Sequence, residues 1–190
     1  MSGLRFDLRL ITPQPWKNGA GLTREIAFAG ASAVDFDWRI SVAEVTHDAP
    51  FSAFLGVDRC ITLLSGAGVR LHADDGSVDH ALTMPLTPFR FAGEIRLTAT
   101  LVAGACSDFN VMTRRGRYRS EVEVRRAGTE LRDADVTLLL CCAGAWVVGD
   151  ETLAPQQGLL WRTAPAAIEV RPVGANAVLL QVRLCHDHIP

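Results

Sequence analysis

The sequence predicts an all-β protein made of two small antiparallel barrels of the jelly-roll kind, packed together. Three observations favour this fold. Short segments alternate apolar and polar residues, turns rich in glycine and proline separate them roughly every 8 to 12 residues, and no segment carries a long helical apolar period. Closed barrels also hide the edges of their sheets. Helices should therefore be few and short.

The first half of the chain contains five such strand segments. One of them, 60–64, runs through the small-residue turn 65–68 into the next, which predicts a hairpin-like pair. An Asp-Asp-Gly turn follows at 74–76, and prolines interrupt the segment after it. The predicted strands are 22–28, 36–42, 60–64, 69–72 and 95–101. We therefore assign residues 1–116 to a first barrel.

The second half repeats this order of strands and turns. Its glycine and proline turns separate the strands in the same order as in residues 61–111, and such internal similarity indicates a duplicated unit. The predicted strands are 137–142, 146–148, 159–161, 167–171 and 177–184. We therefore assign residues 117–190 to a second barrel, with an approximate boundary that leaves room for strands exchanged between the two.

Composition argues against several classes of function. The chain has 190 residues, 48% of them hydrophobic, and its formal net charge of −2 gives no general attraction to nucleic acid or to an anionic membrane. The apolar run 136–149 is shorter than the roughly 20 residues of a membrane-spanning helix. Asp7 and Arg9 interrupt the region where a secretory signal needs an apolar stretch. We expect a cytoplasmic protein with no nucleic-acid and no membrane partner.

Polar residues share one face in each of three alternating segments, which are the predicted strands 22–28 and 36–42 and the segment 108–112. Residues two apart project from the same side of a sheet, because side chains alternate along a strand. The three sets are Thr23 with Glu25, Arg39 with Ser41, and Asp108 with Asn110 and Met112. One interpretation is that these faces meet solvent, as in antiparallel sheets with one wet side. The other is that they line a barrel mouth, where convergent polar groups orient a small ligand.

The stretch PWKNGAG precedes the first of these strands. Its glycines let the backbone approach a bound group, while Lys17 and Asn18 offer a charge and an amide, so the stretch suits one wall of a small anion site. Trp16 or Trp38 would supply the apolar lining that such sites combine with polar groups. A plain β-turn with an exposed lysine is the alternative.

Two further features bear on the kind of ligand. Four arginines within 114–119 indicate either a solvated loop or an anion-binding segment. The histidine and carboxylate set that transition metals favour is missing, since only His186 and His188 have His-x-His spacing and they lie near a chain end, where fraying is common. We expect no metal and no cofactor.

Successive motifs resemble those of the HutD/Ves family. They are PWKNGAGLTREI, FDWRISVAEV with FSAFLGVDRCITLLSGAGVRL, FAGEIRL and SDFNVMTRRG, and they follow the family's order over about residues 13 to 116. Residues 117–190 match mainly in their β character. The resemblance implies a bicupin, a link with histidine utilisation, and a regulatory role through binding of a small anionic metabolite such as formylglutamate or urocanate. It implies no established enzymatic activity.

The resemblance also implies a set of ligand-binding positions, whereas catalytic residues stay unknown. The positions are Lys17, Asn18, Thr23, Glu25, Arg39, Ser41, Arg59 and Asn110. Relatives commonly have three glycines where this chain has Gly-Ala-Gly. Ala20 therefore argues against a left-handed backbone at that position, where a Cβ is costly.

Two other functions stay open beside binding, which we favour. The first is a metal-independent cupin enzyme that acts on a small carboxylate, with Glu25 as acid or base near Lys17 or Arg39. The second is a protein-interaction or stress-response module. Exposed barrel edges also make a homodimer an expectation of the fold.

Overall fold

The computed structural model describes residues 3–163 and 167–187. These residues form antiparallel β-sheets and one short 3-10 helix, Leu8–Leu10, begun by Asp7, whose carboxylate accepts a hydrogen bond from the backbone N of Arg9 at 3.0 Å. No helix within the described ranges has the length and apolar character needed to cross a membrane. The prediction of an all-β protein with few and short helices is confirmed.

Strands account for most of the described chain. They are β1 (Leu4–Asp7), β2 (Gln14–Pro15), β3 (Gly21–Gly30), β4 (Phe36–Val45), β5 (Ala49–Pro50), β6 (Val57–Ser65), β7 (Val69–Ala73), β8 (Asp79–Leu82), β9 (Phe89–Ala92), β10 (Leu97–Leu101), β11 (Cys106–Arg114), β12 (Tyr118–Arg125), β13 (Thr129–Glu130), β14 (Val136–Val148), β15 (Glu151–Leu153), β16 (Gln157–Arg162) and β17 (Glu169–His186).

These strands belong to two compact units. Thr12–Tyr118 forms the first unit, and residues 3–11 join Arg119–Asp187 in the second. The N-terminal residues therefore group differently from the predicted segment 1–116, because β1 pairs with β16, from Leu4 opposite Leu160 onward. The division into barrels at residues 116 and 117 stays a prediction.

The first unit contains a six-stranded and a four-stranded sheet. Their orders are β2-β3-β4-β11-β6-β9 and β5-β10-β7-β8. Apolar side chains from both sheets, among them Ile61, Leu63, Leu71 and Ala99, are fully buried in one core cluster. The sheet β3-β4-β11-β6 carries the polar residues of interest, so this core fixes the strands that position them.

The hairpin predicted for β6 and β7 is wrong. Both edges of β6 are occupied, by β11 on one side and β9 on the other, whereas β7 lies between β10 and β8 in the second sheet. The turn 66–68 thus takes the chain from one sheet to the other. The local alternation of residues predicted both strands, but it holds no information on which edges are already paired.

The second unit is organised around one sheet, ordered β1-β16-β14-β17-β12, with β13 on β17 and β15 on β14. Strands β14 and β17 form its longest ladder, from Val136 opposite Leu184 to Val148 opposite Val170. The register shifts on both sides of Ala143, so the ladder is bent by bulges rather than straight. Its core holds buried aromatic and aliphatic side chains, including Trp146 and Leu139.

Candidate functional site

The first unit holds a cavity of about 680 Å³, which we call the first-unit cavity. Its volume lies in the range of small-molecule sites. Three cationic side chains reach its lining, and the lining contains no carboxylate, histidine or cysteine. The lining residues are Gln14, Pro15, Trp16, Lys17, Asn18, Thr23, Val34, Arg39, Ser41, Ala43, Pro50, Phe51, Ser52, Phe54, Arg59, Asn110 and Met112.

Strand register explains why predicted residues from separate segments meet in this cavity. Ser41 on β4 lies opposite Asn110 on β11, and Met112 lies opposite both Arg39 on β4 and Arg59 on β6. Directly opposed residues project from the same side of a sheet and lie close together. Of the eight predicted ligand positions, seven line the cavity, all except Glu25.

Arg59 is the most buried charge of the cavity, with 8% of its surface exposed. Its Nη2 donates to Oδ1 of Asn110 at 3.0 Å, and its Nη1 donates to the backbone oxygen of Ser52 at 3.3 Å. Its buried Nε has no partner. Burial, and secondarily the positive charge of Arg39, lower the pKa of the Arg59 guanidinium to about 10.

Three phenyl rings surround this guanidinium. The Arg59 Cζ lies 5.0 Å from the ring centre of Phe91, 5.3 Å from that of Phe51 and 5.8 Å from that of Phe54. Such contacts stabilise a cation, but they supply no negative charge. Within the part of the chain that the structure describes, Arg59 forms no ion pair with a carboxylate.

Arg39 has a carboxylate partner. Its Nε donates to Oε2 of Glu25 at 2.9 Å, and both side chains are partly buried. Because Glu25 lies outside the cavity lining, it orients Arg39 rather than facing a ligand. The other N–H groups of the Arg39 guanidinium can therefore donate to a ligand.

The turn PWKNGAG is a tight β2–β3 connection and also one side of the cavity mouth. Gly19 N donates to the backbone oxygen of Trp16 at 3.0 Å, and the Asn18 side chain accepts from Ala20 N at 3.1 Å. The left-handed residue is Gly19 (φ 71°), not Ala20, so the Gly-Ala-Gly sequence is accommodated. Lys17 is exposed at the mouth.

Gly21→Ala should destabilise the protein by about 2 to 3 kcal/mol, the cost of overpacking. A Cβ at Gly21 would lie 2.3 Å from the backbone oxygen of Glu44 and 3.2 Å from the Trp16 ring. Gly19→Ala is the matched control, since it meets no atom within 4 Å and costs about 1 kcal/mol for its left-handed backbone. Urea unfolding measures both. Equal losses would contradict the close approach at Gly21.

Several lining residues were not predictable from strand periodicity. Phe51, Ser52 and Phe54 belong to the connection between β5 and β6, which carries no alternation. The two phenylalanines close to Arg59 in the sequence are the one usable signal. Trp16 lines the cavity as expected, and its Nε1 donates to Oγ1 of Thr23 at 2.7 Å. Trp38, the other residue considered for the apolar lining, does not line the cavity, because its neighbour Arg39 occupies the cavity side of β4.

The arginine-rich segment forms an ion-paired turn rather than part of the cavity. Arg115 pairs with Asp58 at 2.7 Å and with Glu94, and Arg117 pairs with Asp37 at 3.1 Å. Arg114 pairs with a carboxylate as well, at 3.4 Å. These pairs are largely solvent-exposed and contribute little to stability. The interpretation as a charged surface turn is the better one.

The cavity does not fit a cupin-type metal. Its lining offers no imidazole, thiolate or carboxylate, the ligands that transition metals need. Among the residues that the structure describes, no group of three or more such side chains is placed to hold a metal. His186 pairs through Nδ1 with Asp135 at 2.9 Å, and His188 lies outside the described residues.

Comparison with known proteins gives consistent matches. The HutD family model matches residues 9–180. The Ves protein of Citrobacter koseri is 39% identical over 157 residues, which are 82% of this chain and 81% of that protein. The structure of HutD from Pseudomonas fluorescens SBW25, solved in a formate condition, has a TM-score of 0.84 at 29% identity and covers 96% of this chain and 98% of its own.

A more distant structure shows the fold alone. The cupin 2 conserved barrel domain protein of Leptotrichia buccalis has a TM-score of 0.59 at 10% identity, with 96% of this chain and 97% of that chain covered. The prediction of a cupin-type fold is confirmed.

Proposed function

This chain belongs to the HutD family, and from that premise we propose that it binds a small anionic metabolite in the first-unit cavity without using a metal. One observation carries the proposal. The guanidinium of Arg59 is buried, and no carboxylate of the described residues pairs with it.

Electrostatics favour an anionic ligand. A buried charge without a counter-charge costs several kcal/mol, and a bound carboxylate offsets that cost through charge-assisted hydrogen bonds. Lys17 and Arg39 also line the cavity, so three cations face it, and Glu25 pairs with Arg39 alone from outside the lining. A ligand with one or two carboxylates therefore matches the site.

The chemistry of the lining favours binding over catalysis. An enzyme needs an acid or base in reach of its substrate, and Lys17 is the one such side chain in the lining other than the arginines. Glu25, the residue considered for that role, is engaged with Arg39. Within the family, the metabolites proposed are those of histidine catabolism, formylglutamate or urocanate, and the role proposed is regulatory.

A screen of small carboxylates by thermal shift and calorimetry tests the proposal. N-formylglutamate and urocanate should each be compared with the uncharged amide of the same compound, which matches it in size. A ligand at 100 times its dissociation constant should add about 2.7 kcal/mol to the free energy of unfolding. If no carboxylate stabilises the protein more than its amide does, the proposal fails.

Arg39→Ala should weaken binding of the anion that the screen identifies by about 1.5 to 3 kcal/mol, the value of a hydrogen bond to a charged group. Arg70→Ala is the matched control, because Arg70 also pairs with a carboxylate, Asp79 at 2.6 Å, but lies outside the cavity. Calorimetry gives both affinities. An Arg39→Ala variant that binds as tightly as the wild type removes Arg39 from the site.

Other expectations stay predictions. A homodimer is to be checked by analytical ultracentrifugation, and a cytoplasmic location by fractionation of cells. The involvement in histidine catabolism is to be checked by measuring pathway output in cells that lack the protein. A protein-interaction role has no specific observation in its favour.

A further inference from the structure

A buried carboxyl group lies immediately below the polar lining of the first-unit cavity. Asp108 on β11 is 0% exposed, and its Cα partners are Ala43 on β4 and Leu63 on β6. Ala43 lines the cavity, and so does Asn110, two residues along the same face of β11. Opposed side chains lie about 5 Å apart, so the Asp108 side chain adjoins the part of the lining that Ala43 forms.

No cation of the described residues pairs with this carboxyl. Its Oδ2 accepts from the Sγ of Cys106 at 3.8 Å, and its buried Oδ1 has no hydrogen-bond partner. An ionised carboxylate without a partner is costly inside a protein. Burial raises the pKa of Asp108 to about 7, and the weak Cys106 contact opposes this rise.

The charged groups that face this region are few. Arg59 on β6, Arg39 on β4 and Lys17 on the β2–β3 turn line the cavity. Glu25 on β3 pairs with Arg39 from outside the lining, and Cys106 lies on β11 itself. Strands β7 and β10 present apolar residues to the same core. Asp108, unlike Glu25, can therefore gain or lose a proton without breaking an ion pair.

We propose that Asp108 is a proton-linked determinant of anion affinity, so that the first-unit cavity binds its anion more tightly when Asp108 is protonated. This inference rests on the proposed anion-binding function. The new element is that pH regulates the affinity of the cavity for its anion through Asp108, a residue outside the lining.

The direction follows from linkage. A bound anion makes ionisation of the nearby carboxyl more costly, so the pKa of Asp108 is higher in the complex than in the free protein. Binding then takes up a proton near neutral pH, and affinity falls as the pH rises through about 7. If the ligand raises this pKa by about one unit, affinity changes about tenfold between the two limits.

Calorimetry with formate and benzoate tests this inference, because both probes stay ionised between about pH 5.5 and 8.5 while an aspartate with a raised pKa titrates. The wild type should bind each probe about tenfold more tightly at the lower pH. Asp108→Asn should bind with the same affinity at both. Asp79→Asn, which neutralises an exposed carboxylate paired with Arg70, should behave like the wild type.

Proton uptake provides a second measurement that needs no variant. Binding heats of the wild type near pH 7 should differ between bis-tris and Tris buffers, which are cationic and release different heats on ionisation, by the amount expected for partial proton uptake. Equal heats near pH 7, or an Asp108→Asn variant that keeps the tenfold dependence, would overturn the linkage alone. Absence of binding at both pH values would overturn the anion-binding function as well.

Discussion

Replacement of Arg59 by methionine should weaken carboxylate binding about 30-fold or more and leave the ligand-free protein at least as stable as the wild type. The loss of affinity follows because truncating one partner of a buried charge pair costs about 2 to 5 kcal/mol. The stability follows because methionine keeps much of the side-chain volume while it removes an unpaired buried charge, a change that is often neutral or stabilising. Calorimetry measures the affinity, and urea unfolding measures the stability.

Arg70→Met is the control for the loss of a positive charge, since Arg70 is exposed and lies outside the cavity. Arg59→Lys separates charge from shape, because lysine keeps the charge but lacks the planar fork, so it should retain only part of the affinity. Wild-type affinity in Arg59→Met would show that Arg59 does not anchor the ligand. A loss of more than about 2 kcal/mol of stability would show a structural role instead.

Asp108→Asn should stabilise the protein increasingly as the pH rises. The folded-state pKa of Asp108, about 7, lies above its ordinary value of 3.8. The stability that the protonated carboxyl contributes is therefore complete below about pH 4 and is lost progressively up to about pH 7. Asparagine does not titrate, so the difference in unfolding free energy between the variant and the wild type should grow by about 2 to 3 kcal/mol from pH 5 to pH 8.

Unfolding in urea at several pH values measures this growth without any ligand. The constant cost of placing an amide at Asp108 cancels, because only the change with pH is compared. Asp79→Asn is the control: its exposed carboxylate has a pKa that Arg70 lowers, so no such growth is expected. A pH-independent difference for Asp108→Asn would show that the carboxyl is already ionised at pH 5.

Local alternation predicted the strands well and their pairing poorly. The segments 22–28 and 36–42 lie inside β3 and β4, because their polar and apolar residues face two different environments. The edges of β6 and the partner of β1 were not predictable, since both depend on residues far away in the sequence. Each strand pairs with a strand edge that the rest of the chain has left unpaired.

The candidate site was likewise predictable in part: the sequence indicated several of its residues but not their burial. Alternation put Thr23, Ser41 and Asn110 on polar strand faces, but it did not decide between solvent and a cavity. Family motifs added Arg59, whose burial no periodicity indicates. Asp108 was visible on the polar face of its strand, yet its importance comes from the core that excludes water from it. Desolvation is a property of everything packed around a group, and a single sequence does not display it.

The pairing of β1 with β16 has a consequence for synthesis. Strand β1 leaves the ribosome before its partner β16, which is made about 150 residues later, while the strands of Thr12–Tyr118 already have all their neighbours. Closing so long a loop costs little more free energy than closing a shorter one, because the entropic penalty grows only logarithmically with length. The risk comes from this delay and not from low stability, because the edge of β1 can mispair with other nascent chains until β16 has been made.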